Sequence, residues 1–235
     1  MKPVIVAAAF MAAVCCLGAA FQGGITVAVS QGGQTRHLLY TVGTNSLRVE
    51  CTDAGYPYPR DIVNMRSGAI IILFPNNRSF MKLPGKSPAP SGSPMSRIGP
   101  MPVPGAPAMP MIPRPAEPLE LKATGRTTNI LGYACASYEL INRAEVMDIW
   151  ATKELPPFQP YLQGQPPVFG APVMTEQWGQ SLKMAKLFPL EAILKFENGR
   201  ELYRFQVTNI QKMKIKDAAL FRPPPHYNEI QPMPF

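Results

Sequence analysis

The spacing of turn residues between Ile25 and Leu83 constrains this chain more than anything else in it. Six short β-prone runs, Ile25 to Ser30, Thr35 to Val42, Ser46 to Thr52, Asp61 to Arg66, Ala69 to Phe74 and Arg78 to Leu83, are punctuated by Gly32-Gly33, Gly43-Thr44-Asn45, Ser67-Gly68 and Pro75-Asn76-Asn77. Links of that length cannot hold a crossover helix, so neighbouring strands must pair antiparallel in a meander. Parallel α/β folds are disfavoured, and nucleotide-binding folds with them.

Residues 84 to 118 break the pattern. Twelve of these 35 positions are proline, so a third of the segment lacks a backbone donor and no sheet or helix can run through it. An extended, solvated excursion between two strands is expected. Such a loop is either a tolerated insertion or a docking segment made adhesive by Met95, Met101, Met109 and Met111.

Strands resume at Leu119 to Thr124, Thr127 to Leu131, Tyr133 to Ile141 and Glu145 to Thr152, and Pro156-Pro157 stops them. Phe158 to Leu162 has room for a short helical turn at most. Thr175 to Phe188 reads as the main helix, with Met174, Trp178, Leu182, Ala185 and Phe188 on one face. Trp178 is then a pocket wall or an ordinary packing residue. Leu190 to Glu197 and Arg200 to Lys212 flank Asn198-Gly199, a signal for a hairpin with a two-residue type I′ turn. Lys212, Lys214 and Lys216 alternate with Met213 and Ile215, giving either a basic surface for phosphate or anionic lipid, or a solvated strand face. Ala218 to Phe221 suits one helical turn, and Pro223-Pro224-Pro225 leads into a tail, 228 to 235.

Residues 1 to 20 read Met-Lys-Pro followed by an apolar run from Val4 to Ala20, with the small residues Gly18 and Ala20 at its end. That is the profile of a cleaved signal peptide, a membrane anchor being the alternative. Cleavage after Ala20 would remove Lys2, Cys15 and Cys16, leaving 22 basic against 15 acidic side chains. Export and this excess favour anionic lipid or glycan surfaces as partners over nucleic acid. Cys51 and Cys135 remain, a disulfide candidate in an oxidising compartment or two buried thiols.

Four segments carry a resemblance: Tyr40-Thr-Val-Gly-Thr-Asn-Ser-Leu-Arg48, Leu131-Gly-Tyr-Ala-Cys-Ala-Ser-Tyr-Glu-Leu140, Val146-Met-Asp-Ile-Trp-Ala-Thr152 and Phe221-Arg-Pro-Pro-Pro-His-Tyr227. They resemble a family of exported bacterial proteins of unknown function, similar in strand order to the LolA-like lipoprotein carriers. The resemblance implies an α+β, mainly β fold: a curled antiparallel sheet, or half barrel, with one main helix packed on or over its concave face. One β-rich domain is then built from residues 21 to 83 and 119 to 227, with 84 to 118 inserted. It also implies export and an apolar ligand such as lipid or a lipoprotein acyl chain. Trp150, Trp178, Met184, Phe196 and Phe205 are the candidate lining. The alternative is an envelope scaffold that acts through the proline-rich loop and the basic surface.

Enzyme chemistry finds few parts. The two histidines, His37 and His226, are not near a Gly-x-Ser-x-Gly elbow, which is absent, and any chain with 15 acids offers carboxylate pairs. There is no Cys-x-x-Cys, His-Glu-x-x-His or phosphate-cradling glycine loop. A non-catalytic protein without metal or cofactor is expected.

Overall fold

The structure is a computed structural model and describes residues 21–55, 57–85, 119–142, 145–161, 173–196 and 198–231. Residues 1–20, where a signal peptide is expected, and proline-rich residues 86–118 lie outside the described residues. The first meander comprises β1 (Gly23–Gln31), β2 (Gln34–Val42), β3 (Ser46–Cys51), β4 (Arg60–Asn64), β5 (Ile70–Phe74) and β6 (Ser79–Leu83). The second comprises β7 (Lys122–Ile130), β8 (Tyr133–Asn142), β9 (Glu145–Thr152), β10 (Phe188–Phe196) and β11 (Glu201–Lys212), with helix α1 (Val173–Met184) between β9 and β10. A last strand, β12 (Asn228–Ile230), completes the fold.

All twelve strands form one sheet in the order β12-β6-β5-β4-β3-β2-β1-β11-β10-β9-β8-β7, the two meanders being joined by the antiparallel pair β1–β11. The sheet is open, with β7 and β12 as its edges. It is also curled: the Lys212 ammonium lies 5.2 Å from the Tyr133 ring although two strands separate β11 from β8. The fold is the mainly β, one-helix architecture expected.

Strand alternation builds the core. Ile25 and Val27 on β1, Leu38, Tyr40 and Val42 on β2, Met147, Ile149 and Ala151 on β9, and Tyr203, Phe205 and Val207 on β11 are buried in one cluster. Their neighbours in sequence turn outward, as a period of two requires. Helix α1 lays Met174, Trp178 and Leu182 on the same cluster. The segment after β11 then crosses the convex face: Arg48 donates to the Leu220 carbonyl at 3.3 Å, and the Phe221 ring lies against Gly43.

Local structure departs from the sequence reading at five places. The helix ends at Met184, not Phe188, because Lys186 turns left-handed (φ 55°) while the Leu187 amide donates back to the Leu182 carbonyl at 3.0 Å, a Schellman-type stop. The expected runs 119–124 and 127–131 are one strand, β7, whose register shifts between Ala123 and Thr127 around Gly125 (φ 77°). In the β10–β11 hairpin the Phe196 amide bonds the Arg200 carbonyl and the Gly199 amide the Phe196 carbonyl, so the turn is a residue longer than type I′. Consecutive positive φ values occur instead at Leu131-Gly132 (52° and 85°), between Ile130 and Tyr133, as they also do at Gly32-Gly33 (58° and 80°). Finally, residues 228–230 are not tail. They add to β6 as a parallel strand, which the covering segment makes reachable, and Lys82 pairs with Glu229 at 2.7 Å.

Candidate ligand-binding site

Two prolines, Pro156 and Pro157, deny regular structure to the segment that follows β9, and this irregular segment runs across the concave face. The Phe158 amide anchors it to the Leu187 carbonyl at 2.9 Å, and the Tyr161 hydroxyl donates to the Pro59 carbonyl. Between those anchors Phe158 plugs the curl of the sheet. Its ring centroid is 4.9 Å from Trp178, 5.4 Å from Phe205, 5.8 Å from Phe188 and 6.4 Å from Tyr40. Two of these pairs, with Phe188 and Phe205, are edge-to-face, the arrangement the ring quadrupole favours. Gly179 lets the helix close over the plug, since a Cβ there would lie 3.2 Å from the Pro160 ring. A glycine inside a helix costs about 1 kcal/mol relative to alanine, and at position 179 the close Pro160 ring gives it a packing reason.

Beside the plug is a cavity of about 50 Å³ walled by Leu38, Tyr40, Phe158, Trp178, Tyr203 and Phe205. Its polar lining is Gln31 and Arg36, both half-buried at the β1–β2 end of the sheet. Burial raises the phenols of Tyr40, Tyr161 and Tyr203 well above their ordinary value, with Asp61 adding to the effect at Tyr40 and Tyr161. All three are neutral walls at physiological pH. A wider, more open depression of about 330 Å³ lies at the other end of the sheet, where Cys135, Thr152 and Glu154 line it.

Of the residues expected to line a pocket, Trp178 and Phe205 meet at it, 5.5 Å apart. The others do not. Trp150 pairs across the sheet with Ser137 and Glu191, on the face opposite Ile149, and lies 5.6 Å from the Arg126 guanidinium. Phe196 is at the hairpin tip beside Arg200, and Met184 is 70% exposed at the helix end. Lys212, Lys214 and Lys216 are all exposed, as a basic surface requires. Sequence reading missed Phe158 and Tyr40. Phe158 carries no periodic signal, because it belongs to an irregular segment.

Cys51 and Cys135 are free thiols, on strands with five others between them in the sheet. The candidate disulfide is therefore absent from this fold. Instead the Cys51 thiol donates to Asp53 at 3.5 Å, and the other Asp53 oxygen lies 2.8 Å from His37 Nδ1. Burial would push the Asp53 carboxyl up, but hydrogen bonds from the His37 ring and amide and from Cys51 outweigh it and hold the carboxyl below its ordinary value. The acid stands between thiol and imidazole, so the imidazole is not positioned to take the thiol proton. Among the described residues no group of three or more His, Cys, Asp and Glu side chains could hold a metal.

An open, curled and mostly antiparallel sheet, closed on its concave side by the one α-helix among the described residues, defines the class of fold. Residues 106–227 match the family described as a domain of unknown function, DUF4412, and the chain belongs to that family. No curated protein matches it. Among solved structures, PNGF-II is similar with TM-score 0.48 and 16% identity over 91% of this chain and 31% of that one. This chain thus spans about a third of PNGF-II's length. An uncharacterized conserved protein from Thermus thermophilus is similar with TM-score 0.47 and 9% identity, covering 90% and 91% of the two chains. MucB in complex with MucA(peri) gives 0.41 and 10%, covering 88% and 57%.

Proposed function

We propose that this is an exported, non-catalytic protein that binds an apolar ligand, a lipid or a lipoprotein acyl chain, between the concave sheet and α1. Export rests on the sequence of residues 1 to 20. The observation that carries the binding reading is Phe158: an aromatic side chain from an irregular segment fills the curl of the sheet, inside a ring of other aromatics, as a ligand would. The free space beside it, about 50 Å³, is smaller than the roughly 150 Å³ that accepts a benzene. A ligand therefore displaces Phe158 and takes over its contacts, so that burial of the acyl chain offsets the loss of the plug. The LolA-like carriers, which the strand order resembles, hold acyl chains in a half barrel under helices. The exposed Lys212, Lys214 and Lys216 would hold the protein at an anionic membrane, where each basic residue contributes about 1 kcal/mol.

The test uses Trp178 as reporter. The chain has two tryptophans, and Trp150→Phe leaves only the one in the cavity wall. Titration of this variant with a long-chain alcohol or fatty acid should shift and quench Trp178 emission, and native mass spectrometry should show co-purified lipid. A clean apo mass together with unchanged Trp178 emission overturns the reading.

A further inference from the structure

We propose that the cavity selects amphiphiles with an anionic head, a carboxylate or a phosphate on an acyl chain, and that Arg36 reads that head. This rests on the reading of the cavity as an apolar-ligand site. On β2 the inward-facing column runs Val42, Tyr40, Leu38 and then Arg36, whose partner on β1 is Val29. Three apolar members of the column are buried, and the fourth is a half-buried cation at the open end. The pleat repeats every two residues, so Arg36 shares the face of Leu38 and Tyr40, and it lines the same cavity as they do. An apolar tail lying along Tyr40 and Leu38 would bring its head to the guanidinium and to the Gln31 amide.

The chemistry at this end suits an anion. The Tyr58 ring lies 5.8 Å from the Arg36 guanidinium carbon, a contact with the flat face that orients the group. Its planar fork of N–H donors matches a carboxylate or phosphate bidentately. Apolar walls strengthen the attraction relative to open water.

Three probes of matched chain length, palmitic acid, hexadecanol and lysophosphatidic acid, are titrated below their micellar concentrations into the Trp150→Phe protein, at a pH where the acid is ionised. Both anions should bind more tightly than the alcohol by about tenfold to a hundredfold. Arg36→Gln should lower both to the alcohol's affinity and leave the alcohol unchanged, while Arg36→Lys, which keeps the charge without the fork, should retain part of the preference. Selectivity for one anion over the other identifies the head as carboxylate or phosphate. Equal binding of alcohol and anions by the parent protein, or an equal loss for all three probes in Arg36→Gln, overturns the head-group assignment and leaves the apolar site standing. Failure of all three to bind overturns both.

Discussion

Phe158 and Trp178 face one another with ring centroids 4.9 Å apart and planes tilted by 41°. One ring comes from the irregular segment after β9 and the other from α1, so part of the helix's hold on the sheet passes through the plug. Phe158→Ala removes the centre of this aromatic group and should cost about 3–5 kcal/mol, the range for deleting a buried phenylalanine ring. Chemical denaturation monitored at Trp178 measures it. Saturating apolar ligand should restore much of the loss in this variant and less in the parent, since the variant has room to spare. A cost below about 1 kcal/mol would mean that the helix does not depend on the plug.

Gly43 and Phe221 are coupled just as directly. A Cβ at position 43 would lie 2.8 Å from two ring atoms of Phe221, too close for any real contact. Gly43→Ala should therefore lever the covering segment off the convex face, at about 1–3 kcal/mol for overpacking. In the double variant with Phe221→Ala the clash has no second partner, so the two costs should fall short of adding. Strict additivity in a denaturation series would show that the segment is not seated on Gly43.

The turn between β7 and β8 holds a non-glycine residue, Leu131, at φ 52°. Its side chain is 49% exposed, so little burial compensates the left-handed backbone. Asparagine tolerates that conformation and, before Gly132, completes the pair that a type I′ turn prefers. Leu131→Asn should raise stability by about 1 kcal/mol, the scale of the left-handed cost for an ordinary residue. A neutral or negative change in melting temperature would show that Leu131 makes contacts that matter more.

Antiparallel pairing was legible because glycine, proline and asparagine mark the turns, and alternation then told which face each strand buries. Where backbone geometry overrode pattern, reading failed. The spacing Met174, Trp178, Leu182, Ala185, Phe188 continues past the end of the helix, and only the left-handed Lys186 reveals that Phe188 already belongs to β10. Strand β12 is three residues long and exposed, and its partner precedes it by nearly 150 positions, so no local signal announces it. The site was half legible for the same reason. Trp178 and Phe205 sit on periodic elements, whereas Phe158 follows a proline pair and acquires its place from tertiary packing alone. Trp150 is large and apolar, but its parity in β9 turns it outward.

Alkali should expose the buried phenols. Tyr40, Tyr161 and Tyr203 have folded values raised above the ordinary 10.0, chiefly by burial. In the unfolded chain the same groups ionise near 10, so their contribution to stability is complete below that pH and is lost as the pH rises toward the folded values. Phenolate absorbance of the native protein should leave part of the signal of its eight tyrosines to appear only in step with unfolding. Simple titration of all eight before the fold is lost would contradict the sealed aromatic wall.

The thiols supply the last test. Six strand spacings of about 4.8 Å separate the strands of Cys51 and Cys135 along the sheet, while a disulfide needs alpha carbons within about 7 Å. Curling shortens the path, yet the core between the strands is filled. Cys135 is 2% exposed and Cys51 half-buried, and burial raises both thiols, which lowers the reactive thiolate fraction. Native protein in an oxidising buffer should keep both reduced. Iodoacetamide without denaturant should modify Cys51 slowly and Cys135 hardly at all, and denaturant should equalise the two. Non-reducing peptide mapping checks this; a linked Cys51–Cys135 peptide from soluble, folded protein would require a sheet curled far more tightly than this one.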